Sequence, residues 1–369
     1  MSAHVPAIPD PAVSPSPRDE SPSKPSLLLR MGVGLQALLG TISLVGWLSA
    51  LASLPLLNLL TLGYLMESSA RLSRSGRWRD GFPGVRKALF LTLLLSLGWL
   101  VLSPSRVAAG FWRDAQLLGD GGAAAERMEG ILLFLSGGAA LLLAGMAAYL
   151  WKRKGVDFGE MLVRLRLPFL FWLGLRGLFG GVMWLILPVG LMWCGTQIPG
   201  DQGGVRGLFG FLGGALLVVS VCLLPFLQME FAESRRFSSF WRVRSVIRRI
   251  HRAPLACALA LMVLTILSLP LSLLKLEKPP QELGWFLAIF FVLAAWPSRL
   301  VLGWAWHRTT LRDEARERGW IWIGRFGAGT FAVVYALFLW LSQYLVWEGA
   351  AGMLEQHAFL LPTPFWSWD

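Results

Sequence analysis

The chain has 369 residues, 55% hydrophobic and only 15% charged, with a net charge of +12 and an isoelectric point near 10.4. An average soluble domain carries roughly 25% charged residues, so a string of soluble domains is excluded, and the apolar excess lies in blocks. Three cysteines without a CxxC pair and four histidines without HExxH spacing leave a disulfide framework or a zinc site without support.

Residues 1–30 form a polar tail rich in Pro and Ser, which buries too little apolar surface to fold and is expected to be disordered. No short apolar region follows a basic start, so this is not a signal peptide, and the first hydrophobic segment is expected to stay as an anchor. Apolar runs then follow at 31–66, 88–104, 130–151, 175–197, 207–228, 254–274, 284–306 and 321–346. A helix needs roughly 20 apolar residues to cross the hydrocarbon core, and blocks such as "ALFLTLLLSLGWLVL" lack the alternation of barrel strands. The predicted fold is therefore an all-α polytopic membrane protein of about eight hydrophobic segments, with residues 31–346 as its transmembrane domain. Nineteen tryptophans suit a chain with many bilayer boundaries.

The first run is too long for one ordinary span and short for two. It carries no charge until Glu67, and Pro55 and the sole asparagine, Asn58, interrupt its second half. Two readings stay open: a tight or re-entrant hairpin with the N-terminus inside, or one long kinked span with the N-terminus outside. Irregular backbone at membrane depth is tolerated only where protein or water covers it, so a re-entrant hairpin would hint at a functional cavity.

Charge gives the orientation. The connections 67–87, 152–176, 229–252 and 299–325 hold 25 basic and 9 acidic residues; the intervening connections and the C-terminal tail hold 6 and 10. By the positive-inside rule the basic connections face the cytoplasm, and the aromatic tail 347–369 lies outside.

The most basic stretch, "RRFSSFWRVRSVIRRIHR" at 235–252, predicts an amphipathic helix at the membrane surface. Phe240, Val243, Ile247 and Ile250 would share one face, with Arg242, Arg249 and Arg252 toward another. Arg235, Arg236, Arg244 and Arg248 complete this candidate interfacial set, whose partner would be anionic lipid headgroups. A cytoplasmic protein partner is the alternative; no nucleic-acid-binding motif accompanies the charge. The stretch has an echo upstream. "MESSARLSRSGRWR" (66–79) and "MEFAESRRFSSFWR" (229–242) share Met-Glu at the start and Trp-Arg at the end, which suggests either an internal repeat or similar loop composition.

Arg176, Arg299 and Arg325 sit near or within apolar runs. They either snorkel to the headgroups or line a cytoplasm-facing cavity. Glu67 and Glu230, which end apolar runs, are expected to pair with neighbouring arginines. No catalytic or phosphate-binding motif occurs and no cofactor is expected; Gly-rich patches such as "GLFGFLGG" read as close helix packing.

The stretches "PLLNLLTLGYLMESSARLSRSGRWRDGFPGVRKA", "LLPFLQMEFAESRRFSSFWRVRSVIRRIHRAP", "LPLSLLKLEKPPQEL", "PSRLVLGWAW" and "LSQYLVWEGAAGMLEQHAFLLPTPF" together resemble a multi-pass membrane protein family of planctomycete bacteria. The first two are also similar to a broader bacterial family of membrane domains. The resemblance implies a helical protein of the inner membrane and brings no activity or site residue. The expected function is a non-catalytic membrane scaffold or regulatory component; the alternatives are a transporter or permease and a lipid-acting membrane enzyme.

Overall fold

The computed structural model describes residues 27–117, 123–154, 166–273, 284–342 and 344. Of the tails set apart above, 1–30 and 347–369, only Leu27–Arg30 fall within it, and they open the first helix. The described residues form ten α-helices and no strand: α1 (Leu27–Ala52), α2 (Asn58–Ser75), α3 (Val85–Leu117), α4 (Ala123–Lys154), α5 (Leu167–Gln197), α6 (Gly203–Ser234), α7 (Val243–Ile250), α8 (Pro254–Leu273), α9 (Gly284–Thr310) and α10 (Arg318–Ser342). All but α2 and α7 are long and apolar enough to cross a membrane. In lipid the backbone groups of such runs must be satisfied internally, and the helix does this within one segment.

The ambiguous run 31–66 is a hairpin. α1 stops at Ala52, the chain turns over Ser53–Leu57, and α2 returns. Pro55 cannot continue the helix, and Leu56 adopts a left-handed φ of 62°, strained for leucine. The turn satisfies much of its own backbone: the amides of Ser53, Leu54, Leu57 and Asn58 donate to the carbonyls of Ser49, Leu51, Pro55 and Leu54. The Thr61 hydroxyl on α2 donates to Leu48 O on α1 at 3.0 Å, locking the two arms.

The depth of this hairpin follows from its register with α3. Gly40 lies against Val85, the first residue of α3, and the Trp47 indole donates to Thr92 Oγ1 at 3.1 Å. Helices α1 and α3 thus run parallel, and α1 starts at the same end of the bundle as the 76–84 connection. From Gly40 to the turn is about 18 Å at 1.5 Å per residue.

Helix α2 is the centre of the molecule. Fifteen of its eighteen residues are buried, among them Asn58, Thr61, Glu67, Ser68, Ser69 and Ser73. It is enclosed by α1, α5, α6 and α9. Its crossing with α5 is made by Gly63 and Gly174: a Cβ on either would collide with the other helix's backbone. Small residues at such crossings bring backbones close where hydrophobicity offers no driving force between helices.

The connections 67–87, 229–252 and 299–325 converge. Arg235 reaches Glu67, the His307 ring meets Ser73 O, and the Arg316 amide donates to His251 O. Charge patterning and packing therefore agree on one basic end of the bundle.

A candidate site at the basic end of the bundle

Two elbows with the same backbone build this end. Helix α2 closes with Gly76 in the left-handed region (φ 68°), then extended Arg77, then a 3-10 turn at Trp78–Gly81. Helix α6 closes with left-handed Arg235 (φ 59°), then extended Arg236, then a 3-10 turn at Phe237–Trp241. In both, the serine ending the helix accepts a hydrogen bond from the extended arginine's amide: Arg77 N to Ser75 Oγ at 3.2 Å, Arg236 N to Ser234 Oγ at 3.4 Å. The echo between 66–79 and 229–242 thus has a structural counterpart, but four residues out of the expected alignment. Ser75-Gly76-Arg77-Trp78 matches Ser234-Arg235-Arg236-Phe237, and the paired Met-Glu and Trp-Arg do not superpose in role.

An indole serves each elbow. Trp184 on α5 donates to Phe240 O at 3.2 Å. Trp296 on α9 donates to Ser68 Oγ at 3.0 Å, and that hydroxyl donates on to Gly81 O. Gly76 is required twice over, since its φ disfavours side chains and a Cβ there would strike the His307 ring.

Between the elbows lies an ionic network. Arg249 Nη1 meets Glu230 Oε2 at 2.8 Å and Glu233 Oε2 at 2.9 Å, and its guanidinium lies 4.2 Å from the Trp306 ring centroid. The Trp306 indole also donates to Glu233 Oε2 (3.0 Å), and Ser73 on α2 donates to Glu233 Oε1 (3.3 Å). Glu67, buried, pairs with Arg71 (2.8 Å) and Arg74 (3.5 Å), and more distantly with Arg235 (3.8 Å). The expected pairing of Glu67 and Glu230 with neighbouring arginines is present. Chemically the arrangement is a clamp: Arg249 grips both carboxylates of α6, and Arg71 holds Glu67 by Oε1 while its buried Oε2 has no hydrogen bond. Among the described residues no cluster of His, Cys, Asp or Glu is placed to hold a metal ion.

The stretch 235–252 is not one helix. Ser238–Ser239 leave the helical run for the 3-10 turn, and α7 covers only Val243–Ile250. Phe240 points into the core at 1% exposure, with Val246 at 0%; Val243, Ile247 and Ile250 are half-buried. Arg249, expected on the outer face, is drawn inward because two acidic side chains at the end of α6 need a counter-charge. Arg235, Arg236, Arg242, Arg244 and Arg248 are exposed and Arg252 is half-buried.

The three near-membrane arginines part company. Arg176 on α5 is exposed. Arg299, two residues after Pro297 inside α9, is buried at 3% exposure. Arg325 on α10 is exposed, 3.0 Å from His251 Nε2. His251 sits in the α7–α8 connection, where burial and then the Arg325 charge push it below the ordinary histidine range.

Sequence reasoning missed Glu233, Trp306, Ser73 and His307. One signal was present: Glu230 and Glu233 occupy the last turn of a helix, where the macrodipole disfavours acids unless a cation answers them. Compared with protein families, with curated proteins and with solved structures, the chain finds no match.

Proposed function

We propose that this chain is a non-catalytic multi-pass membrane component that holds a protein partner within the bilayer, along α4. One observation carries the reading. Helix α4 packs chiefly on α3, through Leu132, Ala139 and Leu143 and their helical neighbours. On its far side Gly130, Gly137, Gly138 and Gly145 are exposed, with nothing within 4 Å of where a Cβ would stand. At 100° per residue these glycines share about a third of the helix circumference. Lipid gains nothing from a glycine stripe, whereas a second helix does.

In this reading the basic end faces the cytoplasm of a bacterial inner membrane. Reporter fusions near residues 80, 240 and 315 then report cytoplasm, and those near 118 and 369 the outside; the reverse pattern overturns the orientation. Purification of the tagged chain from native membranes in mild detergent should bring a stoichiometric protein. The double variant Gly137→Leu/Gly138→Leu should lose that protein while keeping its own elution volume. A wild-type chain isolated alone would sink the reading.

The second reading, a transporter or permease, is favoured by the α1–α2 hairpin. Its second arm carries no charge only over residues 58–66, about 13 Å against a hydrocarbon core of about 30 Å, and half-depth helices commonly build solute sites near the midplane. Solute flux in reconstituted vesicles that is lost in Arg299→Gln would support it.

A further inference from the structure

We propose that the cavity beside the α1–α2 hairpin is a binding site for one anionic phospholipid, under either functional reading. The cavity holds about 610 Å³ between α1, α2, α3 and the start of α5, within the roughly 300–1,000 Å³ usual for ligand pockets. Its composition is split by depth. The inner part is lined by Leu44, Leu48 and Leu51 of α1 and Leu60 of α2. The mouth carries Arg71, Lys87 and Arg166.

Those three cations come from three different elements, and each stands where an apolar run begins or ends. Lys87 precedes the run of α3, Arg166 precedes that of α5, and Arg71 follows the apolar part of α2. They therefore mark one level, the polar boundary of the bilayer. From Arg71 to Leu60 is about 16 Å along α2, room for much of an acyl chain with its phosphate at the boundary. Glu67 also lines the mouth, paired with Arg71, so the mouth holds three cations against one carboxylate. Arg166 is held there in a left-handed conformation, φ 54°, an uncommon backbone for a non-glycine residue. The polar groups deeper in the cavity are already engaged: the Tyr64 hydroxyl donates to Pro83 O and the Trp47 indole to Thr92. An apolar chain is thus the suited occupant below the mouth.

The test uses the full-length chain in mild detergent and native mass spectrometry, with phosphatidylglycerol and phosphatidylcholine of equal chain length added in competition. The expected result is one tightly held lipid with a preference for phosphatidylglycerol. Lys87→Gln/Arg166→Gln should erase that preference, roughly thirtyfold at about one anionic-lipid contact per charge. Leu60→Trp, which fills the apolar part, should lower binding of both lipids alike. Both variants leave the Glu67 and Arg249 ion pairs intact, and an unchanged elution volume and helical circular dichroism show that they fold. Equal retention of the two lipids by the wild type overturns the proposal, as does retention of neither. Displacement of the lipid by inorganic phosphate at comparable concentration also overturns it, since the site would then read the anion alone.

Discussion

Helices α2 and α4 are opposites. The first is rich in polar and small residues and is buried along nearly its whole length; the second is a long apolar helix whose best spanning window is only 6% buried within the chain. In water the order would be reversed. In a bilayer the solvent is itself apolar, so hydrophobicity does not drive one helix against another; close packing and satisfied polar groups do. Ser, Thr and Glu are therefore gathered inside along α2, while α4 turns Leu and Phe outward.

The contrast can be broken with glycines. Gly63→Val should collide with the backbone of α5 and cost at least about 3 kcal/mol, read as loss of monodisperse protein or of resistance to unfolding in mixed detergent. Gly137→Leu on α4 meets open space and should leave the chain's own stability within about 0.5 kcal/mol. Equal damage from both would mean that α4 is covered by this chain after all.

A smaller effect is expected at the basic end. Arg249→Gln leaves Glu230 and Glu233 without their counter-charge in a partly buried place and should cost about 2 kcal/mol. Arg244→Gln, on an exposed arginine of the same stretch, should cost next to nothing in the same unfolding assay. That pair separates arginines that build the elbow from those available to lipid or a partner.

Depth gives a test without an energy. Leu54 and Leu56 at the hairpin turn are exposed and apolar. A cysteine at Leu54 should resist a membrane-impermeant maleimide from either side in intact vesicles. Labelling from outside would show that the hairpin crosses the membrane completely.

The smallest effect is pH dependence at His251. Its folded pKa lies below the unfolded value of 6.5, so the unfolded chain binds the proton more readily. Stability is then greater above pH 6.5 and declines as pH falls through the histidine range. His251 is half-buried and only one group titrates, so the decline should be slight, and Arg325→Gln should reduce it in thermal melts compared at pH 7.5 and 5.5.

From the sequence alone came the all-helical class, the eight long apolar segments and the single basic end, because these depend on run length and charge, which need no partner residue. The pairing of Glu67 and Glu230 with arginines was also legible, since both acids end apolar runs beside basic stretches. The tertiary structure decided what α2 is: its residues look too polar for a span, and only enclosure by α1, α5, α6 and α9 makes that composition an advantage. It also split 235–252 into a 3-10 turn and a short helix, because Phe240 finds a core slot under Trp184 and Arg249 finds Glu230 and Glu233. Such contacts join residues far apart in the chain, and no local pattern of apolar and basic residues specifies which of seven arginines will turn inward.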